Sequence, residues 1–307
     1  MRSDNSYRSL GRLWLAITAG VGANVWLGGS ALYWRALGEV SPLQLVALRI
    51  FLSLAVLTIV MAATRNLGSL YQDLTFKHLG THGVAALLLV INWGVFIWAS
   101  IQGYVLEAGL GYLIAPCITI VAGVWILGER LRRSQAVIAA LIGVALMLLI
   151  AFAQNIRHDV LLAIATTWGG YVCLKKASPL GAISGTSMET FLLSLLLMCI
   201  LLLAPWEAAL PETLLYEDRV LVMFAGLVSV IPLVLLAYAA KHLPMTTMAA
   251  LQFLLPTTQF VLAMVVYQQS IGIGVAVAVI WIWMLLAAPL VIDYLDRYRR
   301  TRNDLSL

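Results

Sequence analysis

Residues 104–127 read YVLEAGLGYLIAPCITIVAGVWIL and residues 245–267 read MTTMAALQFLLPTTQFVLAMVVY, two apolar runs that each carry a proline near the middle, Pro116 and Pro256. The prolines stand 140 positions apart, and so do Arg49 and Glu189, the only charged residues set deep inside apolar stretches. Around the prolines the two windows align at that spacing without a gap: Trp98 falls on Tyr238, Ala99 on Ala239 and Glu129 on Gln269. One membrane unit is written twice. Charge buried in hydrocarbon is costly and a central proline breaks a helix, so a duplicated pair of each points to a translocation pathway rather than to packing.

The composition agrees. With 62% hydrophobic and 11% charged residues, the 307-residue chain has too little polar surface to cover a water-soluble core. About 20 apolar residues span a bilayer, and ten such runs can be read, at 13–34, 41–64, 79–100, 104–127, 134–152, 158–176, 185–204, 218–239, 245–267 and 271–293. The short connections leave no room for a soluble catalytic or nucleotide-binding domain, and no phosphate-binding G-x-x-x-x-G-K-[ST] loop occurs. Cys117, Cys173 and Cys199 lie within spans and read as small apolar fillers. His78, His82, His158 and His242 lie at span edges, scattered too widely for a metal site or a nucleophile's base. No cofactor, metal or catalytic residue is expected, and an intramembrane enzyme is disfavoured.

Arg2, Arg8 and Arg12 precede a run too long for the core of a cleaved signal peptide. Placing that tail in the cytoplasm puts 15 Lys/Arg inside and leaves Arg35, Arg157 and Arg219 outside, which sets both termini in the cytoplasm. The basic balance then reflects membrane orientation, with no nucleic-acid partner implied. Five spans per half is an odd number, so the second half enters the membrane from the opposite side. The expected fold is an all-α membrane protein of ten transmembrane helices in two inverted five-helix repeats, 13–152 and 158–293, with cytoplasmic tails 1–12 and 294–307.

Several residues are candidates for the pathway. Proline lacks the N–H that would bond the carbonyl four residues earlier, so Pro116 should free the carbonyl of Tyr112 and Pro256 that of Gln252. Gln252 and Gln259 are seven apart and are expected to share a face beside the second kink. Glu107 opens the fourth run near an interface, and Gly111, one turn on, keeps that face slim. Ala16, Gly20, Asn24 and Gly28 make a small-residue stripe, read as a helix interface with Asn24 pointing inward. Among aromatics at depth, Trp93, Trp98 and Trp168 are candidate pocket walls, beside Trp26, Tyr171, Trp281 and Trp283, with packing or lipid contact as the alternative for each.

Arg49 and Glu189 each lie about eight residues into their helices, which at 1.5 Å per residue puts both at roughly 12 Å depth in a core of about 30 Å. The expectation is a direct pair, or one bridged by substrate or water. The alternative is that Arg49 snorkels outward while Glu189 caps local backbone.

Three stretches resemble a known family. They are Ser30-Ala31-Leu32-Tyr33-Trp34-Arg35-Ala36-Leu37 with Val40-Ser41-Pro42 and Leu48-Arg49-Ile50, then Ile91-Asn92-Trp93-Gly94-Val95-Phe96-Ile97-Trp98-Ala99, then Glu107-Ala108-Gly109-Leu110-Gly111-Tyr112 with Pro116. Together with Met188-Glu189-Thr190, Leu251-Gln252-Phe253, Pro256-Thr257 and Ile280-Trp281-Ile282-Trp283, they are similar to the RarD branch of the drug/metabolite transporter superfamily, of the EamA type. The resemblance implies an inner-membrane permease whose central cavity is walled by the first four helices of each half, with the fifth and tenth at the periphery. It adds Asn92 to the candidate pathway. Two positions depart from the family: Tyr267-Gln268-Gln269 stands where an acidic residue is usual, and no proline follows Glu189-Thr190 before Ala204.

The sequence is therefore read as a secondary-active permease of a small metabolite or drug-like molecule, an exporter working by alternating access with proton coupling. The alternative is an uptake permease, uniporter or channel for amino acids or organic cations. Expected partners are the small-molecule substrate, the lipid bilayer and a second copy of the chain meeting it through peripheral helices.

Overall fold

The computed structural model describes residues 2–64, 75–125, 156–178, 180–203, 213–243 and 251–285, with 137, 140–141, 143–145, 147, 210 and 211. Among them every regular element is helical. We number the helices α1 (Arg2–Ala36), α2 (Pro42–Ala63), α3 (Phe76–Gln102), α4 (Val105–Trp125), α5 (His158–Ala177), α6 (Ala182–Leu203), α7 (Tyr216–Met223), α8 (Ala225–His242) and α9 (Leu254–Val265), followed by α10 (Ile273–Leu285). Most of the fifth run, the Arg130, Arg132 and Arg133 cluster, Glu129 and the basic tail lie outside the described residues.

Among the described residues five segments are long and apolar enough to cross a membrane: Gly11–Ala36, Pro42–Ala63, His78–Gln102, Ile183–Leu203 and Tyr216–Leu236. Large apolar side chains stand on the outside, Trp14 at 61%, Ile59 at 68% and Leu203 at 87% exposure, a pattern that needs lipid as solvent. Hydroxyls are handled as hydrocarbon demands. Ser100, Thr190, Ser194 and Ser229 each donate back to the carbonyl four residues earlier, so they carry no unmet polarity into the bundle.

Local signals set the helix ends. At α2, Ser41 Oγ accepts from the Gln44 N–H while Gln44 Oε1 accepts from the Ser41 N–H, and Pro42 occupies the first helical position. Thr75 Oγ1 caps α3 by accepting from the His78 N–H. Gly103 ends α3 at φ 85°, a left-handed turn open to glycine, and the chain turns into α4 two residues later.

The chain divides into two compact units, 1–119 with 157–269 and 120–156 with 270–307. The first takes helices from both halves of the sequence. Within it α1 packs on α8, α9 and α3, while α2 packs on α8, α6 and α3, and α3 also packs on α5. Glycines permit the closest approaches. A Cβ at Gly111 would sit 2.7 Å from the Leu161 carbonyl oxygen and from Ile164 Cβ, and one at Gly169 would sit 2.9 Å from the Ala115 carbonyl oxygen, so α4 and α5 touch almost backbone to backbone. The stripe on α1 is an interface as expected: Ala16 meets Ala239 and Leu243, and a Cβ at Gly28 would fall 2.7 Å from the Leu255 carbonyl oxygen.

The two prolines are not equivalent. Pro116 lies inside a continuous α4. Pro256 sits in the first turn of α9, after a break at Phe253, where a missing N–H leaves no intrahelical bond unmade. In the second unit, Val279 and Ile282 of α10 are buried, while Trp281 is half exposed.

Candidate functional site

A crevice with room for little more than a water molecule is lined by Asn24, Tyr112, Pro116, Trp168, Val172, Leu236, Gln252 and Leu255. It is narrow. Its lining comes from α1, α4, α5, α8, the start of α9 and the segment before it, and it brings together five residues singled out from sequence: Asn24, Tyr112, Pro116, Trp168 and Gln252. Asn24 stays anchored, donating from Nδ2 to the Gly20 carbonyl at 2.8 Å.

From the crevice an aromatic and amide ladder runs through the bundle. The Tyr112 hydroxyl donates to Asn92 Oδ1 at 2.9 Å, and Asn92 Nδ2 donates to Thr167 Oγ1 at 3.1 Å, so this buried amide is held from two helices. Tyr112 meets Trp168 edge to face at 5.5 Å, and Trp168 meets Tyr171 at 5.5 Å. The Tyr171 hydroxyl then donates to Glu189 Oε2 at 3.1 Å.

Glu189 is fully buried and saturated with partners. Lys175 Nζ donates to its Oε1 at 3.0 Å and its Oε2 at 3.2 Å, and His82 Nδ1 lies 2.8 Å from Oε1. His82 Nε2 is 2.8 Å from Ser178 Oγ, which also accepts from the Leu180 N–H, and Lys175 donates to Thr186 Oγ1. The arrangement tolerates a change of proton. Neutral His82 donates from Nδ1 and accepts the Ser178 hydroxyl proton at Nε2; protonated His82 donates from both nitrogens, and Ser178 turns its hydroxyl round to accept.

The direct Arg49–Glu189 pair expected from depth is not formed. Glu189 takes its partners from α3 and α5, His82 and Lys175, whereas the Arg49 guanidinium lies 3.9 Å from the Trp93 ring centroid and 5.1 Å from that of Trp34. The two helices pack on each other, but the side chains find other partners, and at Arg49 aromatic faces take the place of the carboxylate. Nor does Arg49 snorkel outward, being only 4% exposed.

Three other expected residues lie away from the crevice. Trp98 stacks on Tyr104 at 5.3 Å, with the exposed Arg157 guanidinium 5.5 Å from its ring and paired to Asp159. Glu107 is buried rather than solvated, and Gln269 Nε2 donates to its Oε2 at 3.1 Å while Gln269 Oε1 accepts from the Leu106 N–H at 2.9 Å. The amide that departs from the family pattern thus latches the end of α9 onto the start of α4. Gln259 is fully buried against Gly109, with neither amide atom hydrogen-bonded.

Sequence reasoning missed His82, Lys175 and Gln269. From its place in the sequence His82 reads as an edge residue, but the Thr75 cap starts α3 at Phe76 and carries the imidazole inward. A signal was present: Lys175 and Tyr171 lie four apart, on one helix face, three residues and seven residues ahead of Ser178.

Comparison with known proteins identifies these residues' setting. The chain is 31% identical over 275 residues to protein RarD of Streptomyces exfoliatus, covering 88% of this chain and 84% of that one. The chain belongs to the RarD family. An uncharacterized transporter of Bacillus subtilis, YojE, is 33% identical over 248 residues, 78% of this chain and 80% of that one. A RarD protein of Pseudomonas aeruginosa, named as chloramphenicol-sensitive, is 28% identical over 246 residues, 75% and 78% of the two chains. No protein-family model matches. A solved crystal structure superposes with a TM-score of 0.61 at 21% identity, covering 90% of this RarD-like chain and 98% of its own, which is a likeness of fold. The protein is a RarD-like multi-pass membrane permease.

Proposed function

We propose that this RarD-like permease is a secondary-active exporter of a small metabolite or drug-like molecule in the bacterial inner membrane, working by alternating access and coupled to protons at Glu189 and His82. The supporting observation is the buried carboxylate–imidazole pair joined by an aromatic ladder to the crevice: His82 can gain or lose a proton without losing either hydrogen-bond partner. Loading that proton changes the charge facing Glu189 and Lys175, and so the stability of the contact holding α3, α5 and α6 together. The crevice, narrow in this conformation, would widen as that contact loosens. In this reading ten helices form two inverted repeats with both termini in the cytoplasm, and the repeats rock about the site.

The test uses inside-out vesicles carrying a proton gradient and a pH-sensitive dye, challenged with small amphipathic compounds, among them chloramphenicol because a relative is named for it. At least one compound should dissipate the gradient in wild-type vesicles, and the same compound should have no effect with Glu189→Gln. A gradient that no compound disturbs, or that Glu189→Gln vesicles lose equally, contradicts proton-coupled export.

A further inference from the structure

Three buried donors of the first unit have no hydrogen-bond partner among the described residues: Arg49 Nε, Trp34 Nε1 and Ser53 Oγ. All belong to buried residues, at 4%, 1% and 2% exposure. Ser53 follows Arg49 by one turn of α2, which puts both on one face, and Trp34 presents its ring to the guanidinium. Ser53 contrasts with Ser100, Ser194 and Ser229, which satisfy themselves on their own helices. A buried cation without an anion, beside two unused donors, is costly in apolar surroundings and calls for an acceptor from outside the chain.

We propose that Arg49, Trp34 and Ser53 form a binding site for the carboxylate of an organic acid with an apolar body. This rests on the transport reading, whose substrate class it names. The donor set carries one formal charge, which a single carboxylate neutralises; a phosphate dianion would be left half-compensated. A planar guanidinium edge matches the two carboxylate oxygens, whereas a spherical anion uses one contact at a time. Trp93 and Trp34 cover the guanidinium with aromatic surface, which fits an apolar or aromatic body on the acid. Tyr112, a crevice residue, is near enough to Arg49 for the two to interact electrostatically.

The experiment uses purified full-length protein in detergent, with binding read by tryptophan fluorescence and by thermal melting. The probes are benzoate, phenylacetate and hippurate, each beside its neutral amide, together with inorganic phosphate. At least one acid should bind, with its amide weaker by about tenfold or more and phosphate without effect. Arg49→Gln should abolish acid binding. Ser53→Ala guards against simple misfolding, because it removes a donor that has no partner at little cost in volume, so melting should hold or rise in the free protein while acid binding weakens about fivefold or more. Trp34→Phe, which also empties core volume, should lower melting somewhat and weaken acid binding at a temperature where the variant is still folded. Equal binding of acid and amide, binding of phosphate alone, wild-type affinity in both conservative variants, or no binding by any of the three acids overturns the site. Binding needs neither membrane nor gradient, so the two proposals fail separately. Acid binding without acid-driven proton flux sinks the transport reading alone, and acid-driven flux that persists in Arg49→Gln sinks the carboxylate site alone.

Discussion

Glu189→Ala is expected to lower the unfolding free energy by about 3 kcal/mol or more, because removing one member of a buried ion pair leaves its partners uncompensated. The carboxylate is fully buried and accepts from Lys175, Tyr171 and His82 at once, so its loss strands three donors that fold around it. The value belongs near the lower end of the usual 3–5 kcal/mol because the Lys175 side chain is 22% exposed and its ammonium can partly regain water. Glu189→Gln keeps an acceptor for Tyr171 and should cost less. Removing both charges, Lys175→Met with Glu189→Leu, should be milder than Glu189→Ala alone. Denaturant titration in mixed micelles reads all three, and a loss below about 1 kcal/mol for Glu189→Ala would mean that the cluster is not a tight contact. Combining Glu189→Gln with Arg49→Gln should give additive losses within about 0.5 kcal/mol, since the two share no contact.

Gly111→Leu is expected to be comparably severe. A new Cβ at that position would fall 2.7 Å from a backbone carbonyl oxygen and from a β-branched carbon of α5, neither of which can swing aside. Overpacking commonly costs about 1–3 kcal/mol, and a clash with backbone belongs at the upper end or above. The expected outcome is a sharp fall in monodisperse yield and melting temperature. Gly22→Leu supplies the control, because nothing lies within 4 Å of a Cβ there, and it should behave like wild type. Equal tolerance of both substitutions would contradict the close α4–α5 approach.

Solvation by lipid could be read directly from the sequence, because apolar runs of bilayer length survive any uncertainty about partners. The value of Arg49 and Glu189 was legible for the same reason: charge at depth is conspicuous whatever surrounds it. Their partners were not. Depth along a helix fixes one coordinate of three, and the packing of α3 and α5 near α6 decides that Glu189 meets His82 and Lys175 rather than Arg49. Lys175 reads in sequence only as one of the basic residues near a span end, and its long side chain reaches the buried carboxylate. Gln252 and Gln259 show the opposite failure. Helical spacing places them together, yet Gln252 lines the crevice while Gln259 is buried against Gly109 outside it. Asn24 was correctly turned inward because small residues on either side of it in the stripe require a close neighbour there.

The central claim, a pathway through the crevice reached alternately from the two sides of the membrane, is tested most directly by thiol labelling of Gln252→Cys. The background is a chain with Cys117, Cys173 and Cys199 replaced by alanine. An impermeant maleimide is applied to sealed right-side-out vesicles and, separately, to inside-out vesicles. The account predicts modification of Gln252→Cys from both sides. Labelling from one side alone, or from neither while denatured protein labels fully, would contradict it.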